Sequence, residues 1–138
     1  MKILLSIKPV YADKILSGEK RFEFRKASFS VENLESVVIY ATKPVGKIVG
    51  EFEVAAVHRD RPARMWEKTK RFAGVDKVFF DDYYQGRDLA VAIEVGEVHR
   101  YSKPRELTSL GDNITPPQSF RYLQGTSQLS KQEVLELV

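Results

Sequence analysis

The sequence contains no cysteine and only two histidines, His58 and His99, among its 138 residues. The absence of cysteine excludes disulfide bonds, thiolate metal ligands and a cysteine nucleophile. Because zinc sites draw mainly on histidine and cysteine, we expect no bound metal. The sequence also has no phosphate-binding glycine loop and no recognisable serine–histidine–carboxylate set, and we expect no cofactor. Chemistry in this chain would therefore rest on its lysines, arginines and carboxylates.

A long hydrophobic run is also missing. No apolar stretch approaches the roughly 18 residues that a membrane-spanning helix needs. Residues 1–8 carry an early lysine and a short apolar patch, without the long apolar region and small-residue cleavage site of a signal peptide. A hydrophobic content of 43% and a charged content of 30% are typical of a globular domain with a packed core. We therefore expect one cytoplasmic protein domain that does not associate with membranes.

Positive charge is unevenly distributed along the chain, although the formal net charge is only +3. Residues 2–26 and residues 58–71 each carry a net charge of +4, and the rest of the chain carries −5. Two basic segments on an otherwise acidic protein favour a local positive field that faces an anionic partner. The alternative is that both segments are ordinary solvated surfaces.

The hydrophobic pattern predicts strands that alternate with a few helices. Strands are expected at residues 2–8, 20–27, 36–42, 46–57 and 88–100. Helices are expected between Pro9 and Gly18, between Asp60 and Gly74, and between Asp76 and Gly86, because these residues are typical of helix starts and ends. Several strands pairing non-sequentially around few helices indicate an α+β fold, a small mixed barrel with flanking helices.

Beyond residue 111 the sequence becomes irregular, and a short segment at residues 119–123 follows. Ser130 and Glu133 have the spacing of a capping box and predict a last helix that contains Val134, Leu135 and Val138. This helix could dock on the barrel or on a second copy of the chain.

Residues 18–25, with the sequence GEKRFEFR, match the G-x-K-x-x-E-x-R signature of the ASCH domain, a family in the PUA-like superfamily. The preceding helix and the long apolar strand near residues 88–100 also fall where that family has them. The resemblance covers about residues 1–123, which leaves residues 124–138 as a C-terminal extension with a short helix.

The resemblance implies a PUA-like pseudo-β-barrel of about five to six strands with flanking helices and a cleft beside the first helix. PUA-like domains typically bind RNA, often at modified or flipped-out nucleotides, so the resemblance favours an RNA-binding module. A few small relatives hydrolyse acylated cytidine nucleosides, and ribonuclease activity is claimed in the family. A small hydrolase or ribonuclease is therefore the alternative, and a protein–protein adaptor is a third possibility.

The motif supplies the first candidate residues. Glu23 and Arg25 lie two apart on one strand face, where they can pair, and Arg21 shares that face. Arg25 would meet a phosphate or base edge, Glu23 would accept a hydrogen bond from a base amino group, and Lys20 would lie near the bound atom. In an enzyme, Lys20 and Glu23 would form the catalytic acid–base pair. Lys20 matches the lysine of the acylcytidine hydrolases, and Glu23 stands where they carry a threonine nucleophile.

Further candidates come from the first helix, from a strand end and from a basic stripe on the second helix. Tyr11 can stack on a base while neighbouring cations hold its phosphate. The four residues of the stripe recur at helical spacing and suit a nucleic-acid backbone. The complete set of candidate nucleic-acid-binding residues is Lys8, Tyr11, Lys14, Lys20, Arg21, Glu23, Arg25, Thr42, Lys43, Arg61, Arg64, Lys68 and Arg71. The expected partner is single-stranded or structured RNA, or a nucleoside-like ligand.

Overall fold

A computed structural model describes residues 1–26, 34–111, 114–117, 120–123 and 134–135. The described strands form one mixed sheet of seven in the order β2-β5-β4-β3-β1-β6-β7. β1 pairs in parallel with β3, and every other neighbouring pair is antiparallel. The strands are β1 (Lys2–Ile7), β2 (Phe22–Arg25), β3 (Ser36–Ala41), β4 (Lys47–Asp60), β5 (Ala90–Arg105), β6 (Phe120–Leu123) and β7 (Val134–Leu135). The mixed sheet and its helices confirm the α+β class.

Helices occur at the three places that the sequence indicates: α1 (Pro9–Ser17), α2 (Pro62–Thr69) and α3 (Lys77–Tyr83). α1 begins with proline and ends at Gly18, whose φ of 88° lies in the left-handed region that favours glycine. The side chain of Asp76 caps α3 by accepting a hydrogen bond from the Phe79 backbone N–H at 2.8 Å. Two 3-10 turns follow α2 and β5, at Lys70–Phe72 and Leu107–Leu110.

The expected cap of α2 is wrong. Asp60 is the last residue of β4, and Arg61 occupies the N-cap position, so the Asp60 carboxylate lies one residue too early to cap the helix. It accepts a hydrogen bond from the Arg61 backbone N–H at 2.8 Å instead. α2 also stops at Thr69, well before Gly74, because the chain tightens into a 3-10 turn there.

The described strands do not form the expected barrel, because their sheet curls without closing. β2 and β7 stand at the two ends of the described strand order. In a flat sheet, β2 and β1 would be about 19 Å apart, since four strand spacings separate them. Yet Arg25 Nη2 on β2 donates a hydrogen bond to the Ser6 carbonyl on β1 at 3.0 Å. A side chain, and not a ladder of backbone hydrogen bonds, therefore spans the gap between β1 and β2, which we call the seam.

Two hydrophobic clusters hold the curled sheet against its helices. The first lies between α1 and the strands and includes Ile15, Leu16, Phe52 and Ile93. The second lies beneath α2 and α3, where Phe24, Met65, Phe80, Tyr84 and Ala92 pack together. Because each face of β5 meets one cluster, its first four residues are all buried. This double packing fixes β2 and α3 on either side of one cavity.

The C-terminal residues that the structure describes are extended. Val134 and Leu135 pair antiparallel with Arg121 and Phe120 of β6, although the sequence predicts a helix there. The edge of β6 offers backbone partners that the sequence pattern does not reveal. Ser130 and Glu133, the expected capping box, lie outside the described residues. Within the described parts of the chain, no helix is long and apolar enough to cross a membrane.

Candidate functional site

A pocket of about 150 Å³ opens at the seam, between the end of β1, the start of α1, β2 and α3. Five of the predicted site residues line it: Lys8, Tyr11, Lys20, Glu23 and Arg25. Its remaining walls come from Ser6, Ile7, Phe24, Val75, Phe79, Phe80 and Tyr83. The lining of the pocket therefore combines charged side chains with aromatic and aliphatic ones.

Lys20 is almost completely buried, with 2% of its surface exposed. It follows the turn at Gly18, and its Nζ donates a hydrogen bond to the Ala73 carbonyl at 2.5 Å. Nζ also lies 4.8 Å from the centre of the Phe24 ring and 5.5 Å from that of Tyr11, within range of cation–π attraction. The ammonium group is thus held in place by one carbonyl and two aromatic faces.

Gly74 makes the burial of Lys20 possible. A Cβ atom at this position would lie 2.4 Å from Lys20 Cγ, and the φ of 71° is one that other residues rarely adopt. The loop between the 3-10 turn and α3 therefore runs directly against the lysine stem. The sequence alone predicts Gly74 only as the residue that ends a helix, and does not predict its contact with Lys20.

Burial lowers the pKa of Lys20 from its usual value of 10.5 to about 8. The negative charge of Glu23 opposes this shift, and the positive charges of Arg25 and Lys14 add to it. Lys20 is consequently mainly a cation at neutral pH, yet it can lose its proton in mildly alkaline solution. This is a suitable pKa for a group that binds an anion or moves a proton near neutral pH.

Glu23 and Arg25 form an ion pair beside Lys20, as the spacing on the strand predicts. Arg25 Nη2 lies 2.8 Å from Glu23 Oε2, and both side chains are nearly buried. Because Arg25 also donates to the Ser6 carbonyl, its guanidinium is fixed at two points. Among the described residues, Glu23 receives its hydrogen bond through Oε2, so its second oxygen is an acceptor available to a ligand.

Aromatic side chains form the outer wall of the pocket. Phe79 and Tyr83 lie one helical turn apart on α3, with ring centres 6.1 Å apart and planes inclined by 10°. Tyr11 meets Phe79 from α1, at 5.7 Å and 58°. Burial raises the pKa of Tyr83, whose hydroxyl donates to the Phe24 carbonyl at 3.4 Å. Its neighbour Tyr84 is a core residue, so one tyrosine of the pair faces the pocket and the other does not.

Four predicted residues lie near the pocket without lining it. Lys14 Nζ donates to the Gly74 carbonyl at 3.3 Å and pairs with Glu19 at 3.8 Å. Arg21 is exposed and covers the Phe72 ring at 5.2 Å, so it does not join Glu23 and Arg25. The other two are Thr42 and Lys43, which form the turn after β3.

The predicted basic stripe also lies outside the pocket. All four of its side chains, Arg61, Arg64, Lys68 and Arg71, are exposed. The stripe is not one helical face, because Arg61 is the N-cap of α2 and Arg71 lies in the 3-10 turn. Lys68 also pairs with Asp60 at 3.2 Å. The four cations are therefore an exposed surface, separate from the seam.

The sequence does not predict Ser6, Ile7, Phe24, Val75, Phe79 or Phe80 as pocket residues. The stacking of Phe79 on Tyr83 follows from their spacing of four residues, but its position over β2 depends on the fold of the loop before α3. Val75 lies in that loop and has no sequence signal of its own. Among the described residues, no three acidic or histidine side chains cluster as a metal site would require.

The model of the ASCH domain family matches residues 5–105 of the sequence. The chain belongs to the ASCH domain family. This ASCH domain is 29% identical to an ASCH domain-containing ribonuclease of Zymomonas mobilis, over 98% of this chain and 88% of that protein. It is also 30% identical to the large ribosomal subunit protein uL22 of Ureaplasma parvum over 124 residues, but spans only 39% of that protein's length.

Solved structures agree with the family assignment. The crystal structure of the ASCH protein from Zymomonas mobilis superposes with a TM-score of 0.81 at 26% identity, over 91% of this ASCH domain and 90% of that chain. A point mutant of the same protein gives a TM-score of 0.83 at 26% identity, over 91% and 92% of the two chains. The N-terminal domain of Staphylothermus marinus McrB, at a TM-score of 0.50 and 13% identity, shares the fold over 83% of this chain and 81% of that chain.

Proposed function

We propose that this ASCH domain binds RNA and takes one unpaired nucleotide into the pocket at the seam. The observation that carries the proposal is the burial of Lys20, Glu23 and Arg25, with 2%, 8% and 9% of their surfaces exposed, around a pocket that opens to solvent. Charged side chains are rarely buried without a partner or a function, because leaving water is costly for them. Three of them around one cavity support a binding site for a polar, partly anionic ligand.

The dimensions and chemistry of the pocket suit a nucleotide base. A cavity of about 150 Å³ accommodates a benzene-sized ring, so it takes a single-ring base more readily than a double-ring one. Tyr11 would contact the face of the ring, while the Glu23 oxygen that Arg25 leaves open would accept a hydrogen bond from an N–H group. Lys20 in the pocket and Lys8 at its mouth would meet a carbonyl oxygen and the phosphate.

Replacing Lys20 with methionine tests this proposal, because methionine keeps the length and apolar stem and removes the charge. The affinity for a labelled, unpaired RNA oligonucleotide, measured by fluorescence anisotropy, is expected to fall at least tenfold. Lys103→Met is the matched control, since Lys103 is exposed on β5 and does not line the pocket. Equal affinities of Lys20→Met and the native protein, with both folded by circular dichroism, would reject the pocket as the RNA site.

Ribonuclease activity is a second candidate, because a relative that matches this chain over nearly its whole length is named a ribonuclease. Glu23 could take the proton of a ribose 2′-hydroxyl as that oxygen attacks the adjacent phosphorus. Lys20, with its pKa near 8, could give a proton to the leaving 5′-oxygen. The attack forms the new P–O bond as the old one breaks, and leaves a 2′,3′-cyclic phosphate.

Cleavage of end-labelled single-stranded RNA in the presence of a chelator distinguishes the enzyme from the binding module. An enzyme should yield fragments that end in a cyclic phosphate, detected by mass spectrometry, and Glu23→Gln should abolish cleavage more strongly than binding. Intact RNA after prolonged incubation, with binding retained, would exclude the ribonuclease mechanism.

The acylcytidine hydrolase alternative has less support in the pocket. None of the described residues that line it is a threonine, and the hydroxyl of its serine, Ser6, donates a hydrogen bond to the Pro117 carbonyl at 2.5 Å. A hydroxyl engaged in this way lacks the neighbouring base that activates a nucleophile.

A further inference from the structure

Phe79 stands out on α3 because it is a large aromatic residue with 39% of its surface exposed. The next residue, Phe80, is 1% exposed, since the helix turns it into the cluster beneath α2. Phe79 instead lies at the outer side of the pocket, where its ring contacts those of Tyr11 and Tyr83. An exposed apolar surface at the mouth of a pocket indicates a site where a ligand binds.

The rings of Phe79 and Tyr83 stack against one another, and we call this pair of rings the aromatic platform. Their planes differ by 10° and their centres by 6.1 Å, which is an offset-parallel arrangement. Tyr83 is held by its hydroxyl bond to the Phe24 carbonyl and by Lys26, whose Nζ lies 4.7 Å from the ring centre. Because the Tyr83 ring is already held in place, little conformational entropy is lost there when a ligand binds.

Positive charge flanks the platform at both ends. Lys8 lines the mouth of the pocket on the α1 side, and Lys26 covers Tyr83 on the β2 side. An RNA strand that leaves the pocket would pass its phosphates near these cations while its next base stacks on the exposed ring of Phe79. A stacking surface between cations is the usual construction of a single-strand binding site.

We infer that Phe79, packed against Tyr83, forms a second base-stacking position beside the pocket, so that the preferred ligand is RNA with at least two consecutive unpaired nucleotides. This inference rests on the proposed function, since it requires one nucleotide in the pocket. Duplex RNA does not satisfy it, because paired bases are already stacked on their neighbours and do not present a free face. The second position therefore adds selectivity for single strands as well as affinity.

A ladder of labelled RNAs with one, two and three nucleotides tests the inference by fluorescence anisotropy. The step from one to two nucleotides is expected to raise the affinity of the native protein by about 5- to 150-fold, the usual contribution of one stacked base. Phe79→Leu keeps an apolar wall and should remove most of this step, and Phe79→Tyr should restore it. Val78→Ala is the matched control, because Val78 is a neighbouring apolar residue of α3 with 79% of its surface exposed.

The outcomes separate this inference from the proposed function. Binding that depends on Lys20 but gains less than twofold from the second nucleotide would overturn the second position and leave the pocket standing. The second position is also overturned if Phe79→Leu, shown to be folded by circular dichroism, keeps the full gain in affinity from the second nucleotide. If the native protein does not bind RNA, or if Lys20→Met binds it equally well, the proposed function itself is rejected.

Discussion

Lys20 shows how far the role of one residue depends on neighbours that are distant in sequence. Its place in the GEKRFEFR motif is visible in the sequence, and so is the pairing of Glu23 with Arg25 on the same strand. Its burial is not visible, because that depends on the close approach of Gly74 and on the carbonyl of Ala73. The lowered pKa follows from this burial, so no reading of residues 18–25 alone could have supplied it.

The pKa of about 8 predicts how RNA binding depends on pH. If the Lys20 cation meets the ligand, affinity should be constant up to about pH 7 and fall as the pH rises through 8, by at most tenfold per unit. Titration of affinity between pH 6 and 9.5 measures this, and the curve of Lys20→Met should be flat over the same range. A decline of equal size in Lys20→Met would assign the pH dependence to another group.

The same shift gives the sign of its effect on folding. The unfolded chain holds the lysine proton up to a pKa near 10.5, and the folded chain releases it from about 8. Between these values the unfolded state binds more protons, so this group makes the protein more stable as the pH rises. Below pH 8 both states are protonated, and the cost of burying the cation is fully present.

Gly74→Ala provides a second test at the residue scale. Its new Cβ would enter the Lys20 stem, and the left-handed backbone adds a strain of about 1 kcal/mol or more. Gly86→Ala is a closely matched control, since its φ of 76° imposes similar strain while nothing lies within 4 Å of the added atom. We expect Gly74→Ala to lose more stability in urea unfolding and also to weaken RNA binding. Equal losses in both variants, without a change in binding, would contradict the proposed packing of Gly74 against the lysine.

At the scale of elements, the sequence predicts most strands and helices, because their signals are local. The proline and glycine that bound α1, and the Asp76 cap of α3, act within one turn of the chain. The predictions fail where contacts between distant parts of the chain decide the local structure. α2 ends early where its last turn tightens, and residues 134–135 pair with the edge of β6. The sequence also does not show that α3 carries pocket residues, because only tertiary packing places this helix over β2.

Asp76→Ala tests the importance of α3 for the site. Loss of the cap should lower the free energy of unfolding by about 0.5–2 kcal/mol. Because α3 carries Phe79, Phe80 and Tyr83, RNA affinity should fall as well. Asp81→Ala removes only the exposed ion pair with Lys77 on the same helix, worth about 0.3–0.5 kcal/mol, and should leave affinity unchanged. Urea unfolding and anisotropy on the two variants give the comparison, and an unaffected affinity in Asp76→Ala would show that the cap does not support the site.

At the scale of the whole molecule, the proposed function would give one RNA chain two basic surfaces to contact. The pocket lies at the seam, and the exposed cations of α2 and the following turn lie apart from it. Base contacts and backbone contacts would then occur on different surfaces, and they differ in their dependence on sequence and on salt.

The salt dependence of binding tests the α2 surface. If Arg64 and Lys68 contact phosphates, replacing both with alanine should reduce the slope of log affinity against log salt by about 1 to 1.5 and weaken all RNA sequences similarly. Arg100→Ala with Lys103→Ala removes the same charge from exposed positions of β5 and should change the slope less. An unchanged slope in the Arg64 and Lys68 variant would show that this surface is merely solvated.

The seam also has a consequence for how members of this family can diverge. The guanidinium of Arg25 spans the opening between β1 and β2, and three residues of the hydrophobic clusters, Ile7, Phe24 and Phe80, also line the pocket there. A substitution at one of these three positions would change the shape of the pocket and the packing of the interior together. A change of ligand should therefore require compensating substitutions in the core, so that ligand choice and folding stability evolve together.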